Sequence, residues 1–142
     1  MEQGYWEDKA KQAVEKQNRG EGAFLYSLLD FTFTYDEQEE ALYIDIPISE
    51  PMLNSGGSIH GGMYAYIGDT AMGYLCMNYG AGPSVTLELK TQFFHAVSEG
   101  NIRAKAYFLK KGRTVQFTEA TIHSEEGTLL AKLTGTFYKI KK

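Results

Sequence analysis

A Gly-rich loop and the apolar segment after it, residues 54–79, hold the residues best suited to chemistry. They read NSGGSIHGGMYAYIGDTAMGYLCMNY, and Asp69 is the single charged side chain. After His60, apolar residues recur at three- and four-residue spacing and also occupy the other faces, which predicts a helix buried on nearly every side. A carboxylate on such a helix costs several kcal/mol when it is unpaired. Asp69 therefore has either a structural partner or a chemical role.

The start of this predicted helix is the second chemical feature. Gly61 and Gly62 leave the first backbone N–H groups unshielded. These donors, together with the helix dipole, suit an anion or a polarised carbonyl oxygen. A group that polarises a carbonyl and a carboxylate on the same element suggest hydrolysis of an acyl group.

The spacing of these two features restricts how they could cooperate. Gly61 and Asp69 are eight residues apart, which corresponds to about 12 Å along a helix axis. One ester or thioester carbon cannot contact both. If the two act on one substrate, the helix start and the carboxylate must come from different copies of the chain, across a dimer interface.

Composition narrows the functional class. The chain has 142 residues, which suits one domain, and a net charge of -4 with dispersed basic residues, which argues against a nucleic-acid partner. The single cysteine, Cys76, excludes an internal disulfide and is interpreted as a packed thiol. No secretory signal is visible in the first residues, and the long apolar segment is expected to be too polar and too interrupted by glycine to span a membrane. We expect a cytoplasmic protein with no membrane partner.

The pattern of the chain predicts an α+β fold. A charged helix is expected over residues 5–17, and residues 18–22 are expected to be a linker. The predicted domains are a peripheral segment, 1–22, and a single domain, 23–142. Period-two alternation predicts two strands between residues 31 and 48 and four more at 84–94, 101–110, 114–124 and 128–140. Short turns favour a mostly antiparallel sheet curled around the long helix.

One predicted strand carries a candidate residue for the site. In residues 84–94, strict alternation would place Thr86 on the same face as Glu88, Lys90 and Gln92. The opposite face would then carry Val85, Leu87, Leu89 and Phe93.

Several stretches in order resemble one known family. They are Asn54, His60-Gly61-Gly62 and Asp69 at fixed intervals, and the segments FLYSLLDF (24–31), SVTLELKTQFF (84–94) and KKGRTVQFTEATI (110–122). Over residues 23–138 the sequence resembles the hotdog-fold acyl-CoA thioesterases, particularly the phenylacetate-pathway-like and 4-hydroxybenzoyl-CoA-thioesterase-like branch. The resemblance implies a hotdog fold and a homodimer or a dimer of dimers. It also implies a hydrolase without a cofactor, because coenzyme A is part of the substrate.

The resemblance also implies roles for individual residues. The Gly61 N–H would polarise the thioester carbonyl, and Asn54 and His60 would shape the loop and orient the thioester. Asp69 of the other subunit would act as general base or as nucleophile. Thr86 stands where some relatives carry a Ser or Thr that positions water, and its alternative is an ordinary strand residue.

Substrate-binding candidates have simpler alternatives. Gly62 belongs to the loop that would receive the thioester. Lys110, Lys111 and Arg113 could hold the phosphates of coenzyme A, or they could form a solvated turn. Four aromatic residues are interpreted as core or dimer packing, with one or two also lining an acyl pocket: Tyr64, Tyr66, Tyr74 and Phe93. The three histidines, His60, His95 and His123, have no metal-ligand spacing, so no metal site is expected.

Two other functions remain open from the sequence. A non-catalytic acyl-CoA binding module could use the same groove. A hotdog dehydratase or hydratase would need a catalytic His paired with an acidic residue on a different motif. The acyl group, the choice between acyl-CoA and acyl-carrier protein, and dimer against tetramer are not specified.

Overall fold

The computed structural model describes residues 3–141, in which the chain divides into two compact units. The first unit extends to Phe31 and contains helices α1, Tyr5–Asn18, and α2, Phe24–Leu28. Acidic residues in the first turn of α1 and Lys16 in its last turn complement the helix dipole. Within this unit Lys9 Nζ lies 2.5 Å from Asp30 Oδ1. The predicted domain start at residue 23 stays a prediction.

The second unit, from Thr32 onward, is built on one six-stranded antiparallel sheet. Its strand order is β1-β2-β4-β5-β6-β3, so β3 lies at an edge. The strands are β1 Thr32–Asp36, β2 Ala41–Pro47, β3 Ser84–Phe93, β4 Asn101–Lys111, β5 Val115–Ser124 and β6 Leu129–Lys139. All six predicted strands are present, and their ends differ from the prediction by a few residues at most.

The long helix α3, Gly61–Tyr79, packs against strands β2 to β6. We call the sheet face that contacts α3 the inner face and the opposite face the outer face. The predicted α+β hotdog arrangement is confirmed. The expected burial on nearly every side is wrong for the isolated chain, because one face is fully buried and Asp69 is half-buried. The fully buried residues of α3 are Tyr64, Ile67, Gly68, Ala71, Met72, Leu75 and Cys76.

Strand β3 contains a bulge that the sequence pattern did not predict. Thr86 pairs with Phe137 of β6, but Glu88 pairs with Thr136, so Leu87 is an extra residue. Directly paired residues share a face, and Phe137 is buried against α3 at the inner face. The prediction that Thr86 shares a face with Glu88 is therefore wrong, because the bulge turns Thr86 toward the helix.

The edge strand exposes large apolar side chains. Leu87 is 60% exposed and Phe93 is 55% exposed. An edge strand of this kind is a surface on which another chain can add. Separately, none of the helices in residues 3–141 has both the length and the apolar character needed to cross a lipid bilayer.

Candidate active site at the start and middle of helix α3

The first turn of α3 leaves one backbone donor without an acceptor. His60 is the N-cap, and its Nδ1 accepts a hydrogen bond from the Gly62 N–H at 3.0 Å. The Met63 N–H donates to the His60 carbonyl at 2.9 Å. Nothing within residues 3–141 accepts from the Gly61 N–H. Of the two predicted glycine donors, Gly61 is therefore the one available to a ligand, and His60 orients this turn.

Asn54 organises the loop that precedes the helix. Its Oδ1 accepts from the Gly56 N–H at 2.9 Å and from the Ser58 N–H at 3.3 Å, and its own N–H donates to the Ser58 carbonyl at 2.8 Å. A single β-bridge between Leu53 and Ile59 closes the loop. Because the Asn54 side chain is engaged within its own loop, it sets the direction in which the chain enters α3.

A cleft of about 330 Å³ lies at the start of α3. Glycine at position 61 lets an aromatic ring come close, because a Cβ there would lie 3.2 Å from Phe93 Cζ. The cleft thus combines a free backbone donor with mainly apolar walls. Its lining residues are Ile59, Gly61, Tyr64, Phe93, Phe94, His95 and Ala96.

The carboxylate of Asp69 is held by the strand that carries the bulge. Thr86 Oγ1 donates to Asp69 Oδ1 at 2.7 Å. No partner of Asp69 Oδ2 is present in the part of the chain that the structure describes. One oxygen is therefore fixed, and the other remains available to accept a proton or to attack an electrophile.

Within one copy, the carboxylate and the cleft do not meet. Gly61 and Asp69 lie at positions one and nine of α3, about 12 Å apart along its axis. The Asp69 partner Thr86 is near the start of β3, whereas the cleft residue Phe93 ends it. The separation of Gly61 and Asp69, on which the sequence argument for a site shared between two copies depends, is therefore present in the structure.

The basic residues lie at the opposite end of the sheet from the cleft. The Thr114 carbonyl, next to Arg113, accepts from the Lys139 N–H, whereas Phe93 pairs with Ala131. Eight residues of β6 separate these points, about 26 Å.

Lys111 is engaged in other contacts. Its Nζ contacts both carboxylate oxygens of Glu40, at 2.8 and 3.0 Å, and the Tyr79 carbonyl at 3.0 Å. These contacts argue against the predicted role of Lys111 as a phosphate ligand, which stays a prediction. Lys110 and Arg113 also remain predicted phosphate ligands.

Cys76 is separated from this chemistry, whereas His60 caps α3 beside the cleft and His95 lines it. Burial raises the pKa of the Cys76 thiol to about 12, so the thiolate is strongly disfavoured. His95 Nδ1 lies 3.2 Å from the Leu129 carbonyl. Across the described residues, no three His, Cys, Asp or Glu side chains cluster as metal ligands would.

Two of the four aromatic candidates both pack and line the cleft. Tyr64 and Phe93 line the cleft with their ring centroids 6.1 Å apart, in addition to packing. Tyr64 follows Gly61 by three residues, so it lies one turn further along the same helix face. That spacing is the signal that could have identified it.

The chain is also similar in sequence to known proteins. A model of the Thioesterase superfamily matches residues 56–131. A proposed esterase of Saccharolobus solfataricus is 29% identical over 118 residues, which cover 82% of this chain and 84% of that protein.

Solved structures agree on the fold. A conserved Pseudomonas aeruginosa protein is 30% identical, with a TM-score of 0.73 and coverage of 82% of this chain and 93% of that one. A Bacillus halodurans protein solved with CoA is 24% identical, with a TM-score of 0.79 and coverage of 94% and 87%.

Proposed function

Because the chain belongs to the thioesterase superfamily, we propose that it hydrolyses acyl-CoA thioesters at a site formed by two copies. The observation that carries the proposal is the pair of unsatisfied groups on α3, the Gly61 N–H at its start and Asp69 Oδ2 at its middle. The Gly61 N–H can stabilise a developing oxyanion, and Asp69 Oδ2 can act as a base or as a nucleophile. The CoA bound by the Bacillus halodurans protein supports coenzyme A as the leaving group.

The edge strand supplies a way to bring these groups together. If two β3 strands pair antiparallel around a two-fold axis at Lys90, with Leu87 again the extra residue, Phe93 of one copy lies opposite Thr86 of the second copy. Phe93 and Thr86 both lie on the inner face, since they pair with Ala131 and Phe137. The cleft of each copy would then face the Asp69 that is bonded to Thr86 in the other. The pairing would also cover the exposed side chains of Leu87 and Phe93.

The reaction follows from this arrangement. The thioester carbonyl oxygen accepts from the Gly61 N–H, and Asp69 of the second copy drives attack on the carbonyl carbon. The new C–O bond forms, the C–S bond breaks, and the thiol leaves with a proton. Asp69 either takes a proton from the attacking water molecule, or attacks the carbonyl carbon itself to form a mixed anhydride that water then hydrolyses. A single turnover in ¹⁸O-labelled water separates the two routes, since only hydrolysis of the anhydride at the Asp69 carboxyl carbon places the label in Asp69.

The same pairing gives the remaining basic residues a role. The Lys139 N–H donates to the Thr114 carbonyl and the Ile140 N–H donates to the Pro83 carbonyl. The β4–β5 turn with Arg113 therefore lies at the same end of the sheet as the start of β3, with the end of β6 between them. In the paired arrangement the start of β3 lies alongside the cleft of the other copy. Lys110 and Arg113 of the second copy would then hold phosphates of coenzyme A.

The test is the release of free thiol from a panel of acyl-CoAs by wild type and Asp69→Asn. The substitution keeps the shape of the side chain but removes the base, so we expect turnover to fall by a factor of about 10² to 10⁴. The variant should keep the wild-type mass in solution. Thr86→Val, which removes only the donor to Asp69, should lose roughly tenfold. Tight acyl-CoA binding without turnover by wild type would instead identify a binding module.

A further inference from the structure

Gln116 is a fully buried amide on the inner face of β5. It is 0% exposed and pairs with Phe137 of β6. Its Nε2 donates to the Gly112 carbonyl and, at 3.3 Å, to the Val115 carbonyl. The first of these carbonyls lies in the turn between β4 and β5, and the second lies where β5 begins. Because water cannot replace Gln116 as a partner at a buried position, its side chain holds this turn from the inside.

The bond to Gly112 fixes the peptide that leads into Arg113. The Gly112 carbonyl and the Arg113 N–H belong to one planar peptide unit, so a bond to that carbonyl restricts how the Arg113 side chain leaves the turn. Glycine makes this geometry possible, because a Cβ at position 112 would collide with the Val115 carbonyl oxygen. Arg113 itself is exposed and forms no ion pair within residues 3–141. Its guanidinium group is therefore available to a ligand.

The other end of the Gln116 amide lies against the end of α3. A Cβ at Gly80, the residue after the helix, would lie 2.7 Å from Gln116 Oε1. The Gly80 N–H donates to the Cys76 carbonyl at 3.0 Å, so this part of the chain is itself fixed. Gln116 therefore connects the β4–β5 turn to the helix that carries Gly61 and Asp69.

We propose that Gln116 is a positioning residue for coenzyme A, which holds the Gly112–Arg113 peptide so that Arg113 meets the phosphates of the nucleotide. This inference rests on the proposed function, in which Arg113 binds phosphate. Arginine binds phosphate best through two parallel N–H donors, and that geometry depends on the direction of the side chain. An Arg113 on a loosened turn keeps its charge but forms these paired bonds less often. Gln116 contacts no atom of the substrate and acts through Arg113.

The test measures kcat and KM in wild type and Gln116→Met. Methionine is similar in length and apolar, so it fills the buried space without a hydrogen-bond donor. The substrates are the acyl-CoA that wild type hydrolyses fastest and the acyl-pantetheine with the same acyl group. We expect KM for the acyl-CoA to rise about threefold to fivefold with kcat unchanged. KM for the acyl-pantetheine, which lacks the nucleotide phosphates, should stay at the wild-type value, whereas an equal rise for both thioesters would refute the proposal.

The matched control is Thr118→Val. Thr118 is two residues further along β5, on the same inner face, and is 1% exposed. Its Oγ1 donates to the Gly135 carbonyl of β6 at 2.9 Å. The substitution therefore removes a buried bond from a side chain to the backbone, as Gln116→Met does, but one that does not reach the turn. Both KM values should stay at the wild-type level, and a rise for the acyl-CoA alone would refute the specific role of Gln116.

A second variant loosens the same peptide from the turn itself. Gly112→Ala places a Cβ against the Val115 carbonyl, outside the buried core, so it tests the proposal even where Gln116→Met does not fold. It should raise KM for the acyl-CoA and not for the acyl-pantetheine. Combined with Arg113→Ala, Gln116→Met should raise KM for the acyl-CoA no further than Arg113→Ala alone, because both act on one contact. Multiplication of the two effects would contradict a role through Arg113.

Binding of free coenzyme A and of pantetheine, measured by calorimetry, needs no turnover. A wild type that hydrolyses no acyl-CoA, but binds coenzyme A more tightly than Gln116→Met does, would refute the proposed function and keep this inference. Hydrolysis of acyl-CoA by wild type, with unchanged KM in both Gln116→Met and Gly112→Ala, would refute the inference and keep the proposed function.

Discussion

Gly68 sets how closely α3 approaches the sheet, and its substitution by alanine should be costly. A Cβ at this position would lie 2.5 and 2.7 Å from the two terminal carbons of Leu133, a fully buried residue of β6. The shorter distance is about 0.9 Å less than the 3.4 Å at which ordinary contact begins. Relief requires movement of either Leu133 or the helix, and overpacking of this kind costs about 1–3 kcal/mol.

A second glycine of the same helix provides the control. A Cβ at Gly73 would meet Phe137 at 3.8 Å, an ordinary contact. Both substitutions gain about 1 kcal/mol of helix propensity, so their difference isolates the packing term. We expect Gly73→Ala to stabilise the protein and Gly68→Ala to be about 1–3 kcal/mol less stable than Gly73→Ala.

The assay is urea denaturation at one fixed protein concentration, since self-association would shift apparent stability. Leu133→Val removes the clashing carbons, so it should cost less in the Gly68→Ala background than in wild type. Because Asp69 follows Gly68, displacement of α3 should also lengthen the 2.7 Å bond to Thr86 and lower turnover. Equal stability of the Gly68→Ala and Gly73→Ala variants would refute this account of the helix–sheet contact.

Two further predictions concern pH and substrate recognition. Burial raises the pKa of Cys76 from 9.0 to about 12, so between these values the unfolded chain loses a proton that the folded chain keeps. The free energy of unfolding should therefore fall as pH rises through this window, by up to about 1.4 kcal/mol per pH unit. The fall should be less steep in Cys76→Ala. Equal slopes in wild type and Cys76→Ala would contradict the raised pKa of Cys76. Arg113→Ala should raise KM for an acyl-CoA roughly fivefold to tenfold but not for the matching acyl-pantetheine, which lacks the nucleotide phosphates, whereas Lys111→Ala should leave both KM values unchanged. An equal rise for both thioesters would remove Arg113 from phosphate binding.

Elements with a strong local period could be predicted from the sequence. The six strands and α3 follow from alternation and helical spacing, because burying one apolar face dictates both patterns. The Gly-rich loop before α3 likewise indicates that the helix begins after His60. Those features need information only from neighbouring residues.

Features that depend on distant pairing could not be predicted. Leu87 is apolar, as strict alternation predicts for its position, so the sequence pattern does not indicate a bulge there. The bulge is visible only in the pairing of β3 with β6. The engagement of Lys111 depends on Glu40, which is 71 residues away in sequence. The cleft needs Phe93 to lie over Gly61, a contact that the spacing of neither segment specifies.

The bulge also explains why a half-buried carboxylate can stay reactive. With regular alternation, Thr86 would point to the outer face and could not reach α3, so Asp69 would have no neighbour to orient it. The extra residue turns the Thr86 hydroxyl inward, where it holds Asp69 Oδ1 and leaves Oδ2 without a partner in the described chain. The same strand exposes its edge and Leu87. The bulge in β3 therefore orients the carboxylate of Asp69 on α3. The same strand provides the edge along which a second copy would bring its cleft.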